Sequence, residues 1–516
     1  MVINRTLILF SRLKNLIFFD KHERNFLIEQ NKNQQKRNFN DKTILFQCIN
    51  DYFYVLLFSI VINELQDKKA KRIGIINVPL NIKGVHYILL FPILIKYILY
   101  KLEIRKLKKI YRAIGIDDFI YHKQFDMFLN LSVLKKSFTT YFNLKTKTQL
   151  QQLEINGIKI GDLIIDTYLR YYLLDSIPTL KLRSFWLFKV IYDSISIMKF
   201  HNNFSKSNEI SQAFFAMSVY IYHGVPARVY VNNKIDVFVA GGFTKLFKKL
   251  DEKFHYSMQK DHSNFKIDFE NMFSDKERII GENKFKERFI GIDDTGYIDN
   301  LKAIGGVNTY DNSNNIGLNL KLDGIVFLHD FYDAHKTYGE TIFSDFYEWA
   351  TYTFDLIREN KLNIGIKPHP HNLIIHSSIV VDKLKEEYED LIWIDKNVSN
   401  ISIFNSGIKF GISHNGSVLN ELAYFGIPPI CCYENCASSY DFLYQANSRD
   451  EYKELILNAN NLVMKNQEQV GSFYYMNHIL NISDYQLNSQ KVKGINIKGV
   501  NRFNTNSSDL SLINEK

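Results

Sequence analysis

Proline is scarce in this chain, with 8 among 516 residues, while Asn, Lys and Ile are plentiful. That bias inflates lysine without functional meaning, so the net charge of +9 is only modest support for an anionic partner. A membrane surface or a phosphate-bearing substrate fits the charge as well as nucleic acid does. Cysteine is scarcer still: Cys48, Cys431, Cys432 and Cys436 are the whole set. Four thiols make no disulfide framework for this length, and the three late ones lack paired CxxC spacing, which argues against structural zinc and for reduced thiols in a cytosolic protein. No apolar run is long enough to span a bilayer. The longest, Tyr87 to Tyr100, carries Lys96 and is expected as a buried helix. Met1 to Phe19 is broken by Arg5, Arg12 and Lys14 and lacks a small-residue cleavage site, so it is not read as a secretory leader. Either it packs as a terminal helix or it lies on an anionic membrane surface. Also missing are a GxGxxG turn, a GxxxxGKS/T loop, a GxSxG elbow and an HExxH pair, which removes the commonest competing α/β enzymes.

What is present is apolar and aromatic. Hydrophobic residues make up 46% of the chain, with 40 Phe and 31 Tyr, which excludes general disorder. The length calls for two or three domains. Residues 1–42 read as a basic segment and polar linker. From Thr43 an α/β rhythm begins, with strands at 43–48 and 72–78, helices at 52–66 and about 86–114, further helices at 184–203 and 208–223, and strands at 227–232 and 235–240 before Gly241-Gly242. Residues 43–243 form this first domain. The stretch 244–321 is charged, Asn-rich and weakly periodic, and is expected to connect. A second rhythm fills 322–470: strands at 325–328, 363–366, 391–394, 408–412 and 429–432, with helices at 344–359, 380–388, 417–425 and 450–463. Such a parallel series must be covered on both faces. The tail, 471–516, turns polar from about 484. The basic, aromatic run Lys101 to Arg112 reads as the solvated face of a helix, so no nucleic-acid partner is expected.

Two runs carry the chemistry. Gly365-Ile366-Lys367-Pro368-His369-Pro370-His371 ends one expected strand, and Ser413-His414-Asn415-Gly416-Ser417-Val418-Leu419-Asn420-Glu421 ends another about forty-five residues later. Open α/β sheets bind ligands at the carboxyl ends of their strands. Lys367, His369 and His371 put three potentially cationic groups in a Pro-restrained segment suited to a diphosphate. Gly416 falls at a helix start, where free N–H groups favour phosphate, the Ser417 hydroxyl adds a hydrogen bond, and Glu421 one turn on can accept the two hydroxyls of a ribose. Ser413 and Asn415 belong to the same turn. Alone, this second run also fits an ordinary capped helix.

His329, Asp330, Asp333 and His335 follow the first strand of the second domain in HDxxDxH spacing. Acid/base chemistry by Asp330 or Asp333, phosphate holding by His329, a divalent metal, and a purely structural network all fit that spacing. Asp162, Asp166 and Arg170 in the first half supply a carboxylate for a base, or an Asp166–Arg170 pair across one helical turn. His223, before Gly224-Val225-Pro226, is either a site residue or a capping histidine.

The HP motif, the Ser/Gly-rich turn, the Glu on the next helix and the Gly426-Ile427-Pro428 strand entry resemble the donor domain of GT-B glycosyltransferases, above all bacterial capsule and surface polysaccharide transferases, a group with Kdo-, sialic-acid- and CDP-glycerol-using relatives. Phe327 to His335, Asp345 to Trp349 and Gly161 to Arg170 look like segments of capsule-biosynthesis transferases. The resemblance covers about residues 40 to 460. It implies two Rossmann-like α/β domains facing a cleft, a nucleotide-sugar donor held by the second domain, and an acceptor, a growing capsule or lipopolysaccharide glycan or its lipid-linked form, received by the first. It further implies a diphosphate managed without a carboxylate-held metal, no cofactor beyond the donor, and work on the cytoplasmic side of an inner membrane. Relatives with the HP motif also move polyol phosphates from CDP-linked donors, and a non-catalytic GT-B-shaped scaffold of a capsule complex is the reading from another class.

Overall fold

The computed structural model describes residues 38–50, 52–65, 67–77, 92–121, 130–172, 181–240, 247–250, 264–290, 321–335, 341–370 and 377–480, and the single positions 24 and 27. His371, the Met1 to Phe19 segment, Gly241-Gly242 and the tail beyond 480 lie outside the described residues, as does most of the expected connection. The chain divides into two units: one from the described residues up to 167 and between 182 and 256, the other from those between 168 and 181 and between 257 and 480.

The first unit contains β1 (Lys42–Gln47), α1 (Tyr52–Glu64), β2 (Lys71–Ile76), α2 (Pro92–Ala113), β3 (Asp118–Tyr121), α3 (Leu131–Asn143), α4 (Lys147–Gln151), β4 (Glu154–Ile155), β5 (Ile158–Lys159), α5 (Gly161–Tyr172), α6 (Phe185–Ser207), β6 (Glu209–Phe215), α7 (Val225–Asn232), β7 (Asp236–Ala240) and β8 (Phe247–Leu250). Helix α5 runs across the division. The sheet order is β3-β2-β1-β6-β7-β8, parallel except for β8. Phe46, Phe214 and Phe238 stack across its three central strands, with ring centroids 5.2 and 5.3 Å apart. Beside them, Gly74 is required: a Cβ there would lie 2.6 Å from the Phe119 ring and 2.7 Å from Cys48 Sγ. β4 and β5 form a separate antiparallel hairpin. Its turn residues Asn156 and Gly157 have φ of 54° and 76°, the left-handed pair that a two-residue hairpin needs.

Two expectations fail here. Residues 208–223, expected helical, supply the central strand β6 followed by a π-helical turn (Tyr220–Gly224), and 227–232, expected as a strand, lie in α7. The β-branched run Val225, Val229, Val231 suggested a strand, but Pro226 sits in the first turn of the helix and tertiary contacts decide the rest.

The second unit contains α8 (Phe265–Met272), α9 (Asp275–Phe289), β9 (Gly324–Phe327), α10 (Phe346–Glu359), β10 (Ile364–Lys367), α11 (Ser377–Glu387), β11 (Ile392–Trp393), α12 (Asn400–Phe404), β12 (Phe410–Ser413), α13 (Val418–Tyr424), β13 (Pro429–Cys431), β14 (Tyr444–Gln445), α14 (Arg449–Leu457) and α15 (Gln469–Tyr474). Its strands fall close to where the sequence places them. The order is β11-β10-β9-β12-β13-β14 and all are parallel. Numbered from its own first strand, each sheet reads 3-2-1-4-5-6, the Rossmann order, so the protein is an α/β chain with two Rossmann-like units.

Each face of the second sheet buries its own core. Val326, Ile366 and Ile412 face Trp349, Phe354 and Leu384, whereas Ile325 and Phe327 face Ile403, Phe404 and Leu422. The buried Trp349 indole donates to Tyr452 Oη at 2.7 Å. Helices α9 and α15 cross at two glycines, with a Cβ on Gly281 falling 2.0 Å from Gly471 O.

Candidate functional site

In a doubly wound sheet the chain leaves the first and fourth strands in opposite directions, which opens a crevice at their carboxyl ends. In the second unit those strands are β9 and β12. β9 runs into Leu328-His329-Asp330, neighbouring β10 into Pro368-His369, and β12 into His414-Asn415-Gly416-Ser417. The register pairs Lys367 and Ser413 with Phe327, so the three strands end level. Two of the expected donor ligands, or candidates for them, come together: the rings of His329 and His369, both half-buried, stand 6.1 Å apart between centroids.

A single aromatic ring fixes this edge. Phe346, the first residue of α10, stacks on His329 with centroids 4.4 Å apart, and lies 4.2 Å from the His335 ring and 4.8 Å from the His414 ring. Asp345 caps the same helix by accepting Glu348 N–H at 2.8 Å.

The HDxxDxH residues divide by role. Asp330 is buried, and its Oδ1 accepts Tyr332 N–H at 3.0 Å and the Ser377 hydroxyl at 2.6 Å, tying the loop to the start of α11. His335 Nδ1 accepts Phe346 N–H at 3.1 Å, so its Nε2 carries the proton and donates to Phe331 O at 3.0 Å. With both nitrogens committed to backbone, His335 is a structural residue. Asp333 is half-buried and lies 3.8 Å from Arg170 Nη1, which donates to Tyr332 O at 2.9 Å. Burial pushes the Asp333 carboxyl up, but the charges of His329 and Arg170 and the Ala334 N–H outweigh it and hold the group below the usual aspartate value. Among the described residues no set of three or more His, Cys, Asp or Glu is placed to hold a metal ion.

After β12, the Ser413 hydroxyl donates to Phe327 O at 3.1 Å, stitching the fourth strand to the first. His414 is buried against Phe346, Trp349 and Tyr433, with Nε2 3.2 Å from Thr341 Oγ1. Asn415 is half-buried and its Oδ1, itself shielded from water, has no hydrogen-bond partner. Gly416 O and Ser417 O accept the first N–H groups of α13, from Leu419 and Asn420. Ser417 is exposed and makes no side-chain cap.

Lys367 and Glu421 depart from the expectation. β10 points Lys367 to the Gly365 side of the sheet, where it is 2% exposed and donates to Asn400 Oδ1 at 2.7 Å. Asn400 Nδ2 donates in turn to Glu421 Oε2 at 3.0 Å, and Glu421 is buried. Burial lowers the Lys367 pKa to about 8, against the pull of the Glu421 and Asp395 carboxylates. The pair therefore forms a polar layer inside the unit, under the strand ends rather than on top of them. Asn400, on a short helix without a motif around it, was the partner sequence reasoning missed.

In the first unit Asp166, a candidate base, is buried. Asp162 is a strut: its two oxygens take Arg228 Nη1 at 2.7 Å and Nη2 at 2.6 Å, and Arg228 has no exposed surface. His223 Nδ1 accepts from Gln47 Nε2 at 3.0 Å, while Gln47 Oε1 takes the N–H groups of Ala216 and Met217, a locked amide at the end of β1. All four cysteines are free, and burial raises the Cys431 and Cys436 thiols to about 12.

No family model matches the chain, and no curated protein matches its sequence. Among solved structures, UDP-GlcNAc 2-epimerase of Methanocaldococcus jannaschii, in complex with UDP-GlcNAc and UDP, shares 11% identity over 84% of this chain and 97% of its own, at a TM-score of 0.27. The Neisseria meningitidis UDP-GlcNAc 2-epimerase, bound to UDP-GlcNAc, shares 9% over 85% and 96%, at 0.25. HepE of Anabaena, in complex with UDP, shares 8% over 84% and 93%, at 0.26. These likenesses are too loose to carry the fold, which rests on the strand orders above.

Proposed function

We propose that the second unit holds the diphosphate of a nucleotide sugar at the carboxyl edge of its sheet, and that the protein transfers the sugar to a glycan acceptor. One observation carries this reading: the His329–His369 pair stands at the β9/β12 reversal, beside a turn whose Ser417 side chain and Asn415 carbonyl are uncommitted. In the proposed mechanism His369 and the turn N–H groups stabilise the diphosphate as it departs, and His329 takes the acceptor hydroxyl proton. Asp333, ionised at neutral pH, charge-balances His329, whose ring is oriented by the Phe346 stack and by the Asp330 carbonyl 3.2 Å from its Nδ1. Lys367, Asn400 and Glu421 keep the strand ends level from beneath.

The finer parts of the proposal rest on the motif resemblance. They are an acceptor belonging to a capsule or lipopolysaccharide glycan, work at the cytoplasmic surface of an inner membrane, and no cofactor beyond the donor.

Thermal unfolding with UDP, CDP, CMP, GDP and their sugar conjugates tests the donor site, because a ligand that binds only the folded state raises the melting temperature by mass action. A shift confined to one nucleotide family supports the reading and names the base. No shift with any of them at millimolar concentration overturns it. Phosphorus NMR of the product then separates sugar transfer from polyol-phosphate transfer.

A further inference from the structure

A surface in the first unit is apolar where a soluble helix pair is ordinarily polar. On α3 and the first turn of α6, Leu131 is 77% exposed, Phe138 44%, Phe142 55%, Phe185 61% and Trp186 50%. The rings are organised: Phe138 stacks on Phe142 at 6.1 Å and packs on Phe188 at 4.7 Å, and Phe185 meets Trp186 edge-on at 5.2 Å. Isolated exposed apolar side chains need no explanation, whereas a contiguous group marks an interaction surface.

Among the described residues, the charges carried by α3, by the stretch on to 153 and by the start of α6 have one sign. Exposed Lys135, Lys136, Lys145 and Arg183 surround it, and neither 131–153 nor 183–192 contains an Asp or Glu. The nearest acids in the described sequence are Glu154, exposed on β4, and Asp193, which is buried and neutralised by Lys189 at 2.5 Å. Arg183 is held at the edge by bonds to Tyr141 O and Leu144 O, both at 2.8 Å, with its guanidinium 5.8 Å from the Phe142 ring centre. Those bonds tie the end of α3 to the start of α6, so the rings and the cations share one platform.

We infer that this face docks on an anionic lipid bilayer, with Trp186, Phe185 and Phe142 at headgroup depth and Lys135, Lys136, Lys145 and Arg183 against the lipid phosphates. Phenylalanine and tryptophan favour that depth, and a mainly cationic rim complements an acidic leaflet. No described helix is long and apolar enough to cross a membrane, so the contact is peripheral. The inference deepens the proposed function, which calls for a membrane surface, and assigns the contact to α3 and α6 instead of the Met1 to Phe19 segment.

The chain has three tryptophans, and Trp349 and Trp393 pack in the core of the second unit, so Trp186 reports on this face. The full chain is mixed with vesicles of phosphatidylglycerol and phosphatidylethanolamine, or of phosphatidylcholine alone, and followed by sedimentation and by tryptophan emission with brominated-lipid quenching. Expected are binding to the acidic vesicles, a blue shift with quenching that Trp186→Phe abolishes, and about tenfold weaker binding for Phe185→Ser/Trp186→Ser and for Lys135→Glu/Lys136→Glu. All four positions are exposed, and an unchanged melting temperature and nucleotide response in the variants separates loss of docking from loss of fold or of the donor site. Sedimentation without a Trp186 shift, equal binding to both vesicle types, wild-type affinity in both double variants, or no binding at all overturns the inference.

Discussion

The imidazoles of His329 and His369 face one another across neighbouring strand ends, 6.1 Å between centroids, although forty residues of chain separate them. Register brings them together: β9 and β10 are adjacent and parallel, and each ends two residues before its histidine. If His369 holds the diphosphate and His329 serves the acceptor, His369→Ala will weaken nucleotide binding by about 1–3 kcal/mol, the range for losing a charge-assisted hydrogen bond, while His329→Ala will bind nucleotide as the wild type does and lose turnover. Titration calorimetry and turnover of the two variants read this directly. Unaltered affinity in His369→Ala removes the donor-site assignment.

The buried Lys367 gives a pH signature. Its folded pKa is about 8 against an ordinary 10.5, so between those values the unfolded chain binds more protons than the folded one. Stability contributed by this group therefore rises with pH across that window, by at most about 1.4 kcal/mol per unit, and is flat below it. Urea unfolding from pH 7 to 10 is expected to show that rise in the wild type and to lose it in Lys367→Met/Glu421→Gln. The same slope in both proteins would place Lys367 in water.

Asp162 is expected to matter for folding. Asp162→Ala leaves the Arg228 guanidinium buried with its main anion gone, a loss of about 3–5 kcal/mol for a broken buried pair. Denaturant midpoints measure it. A change below about 1 kcal/mol, the worth of an exposed pair, contradicts the strut.

At the α9–α15 crossing, Gly281→Ala puts a methyl where a backbone oxygen stands, 2.0 Å away. Parting the helices costs about 1–3 kcal/mol or more. Calorimetry of the variant should show a lowered melting temperature, and wild-type stability would mean that the helices do not cross so closely.

The second sheet was legible because parallel strands buried on both faces read as short continuous apolar runs, and Gly324, Gly407 and Pro428-Pro429 punctuate them. The first was less so. Glu209 to Phe215 mixes polar and apolar residues without a clean period of two, and Val225 to Asn232 has strand composition but folds as a helix under Pro226. The strand ends that carry the site were located by motif, yet motif could not tell which way a side chain leaves its strand. As a motif, Lys367 and His369 read as one cationic group. Lys367, the last residue of β10, follows the pleat under the sheet edge to Asn400, a residue with no signal of its own, whereas the chain leaves the strand at Pro368 and sets His369 beside His329.

Phe346 touches the rings of His329, His335 and His414, and these belong to the loops that follow two different strands. Neither loop can shift without pressing on that ring, and the ring is the first residue of α10, whose start is pinned by Asp345 and His335. The two sides of the crevice thus share one mechanical support. A ligand that moves one rim is felt at the other through a single benzyl group, and a smaller residue at 346 would let the two rims move independently.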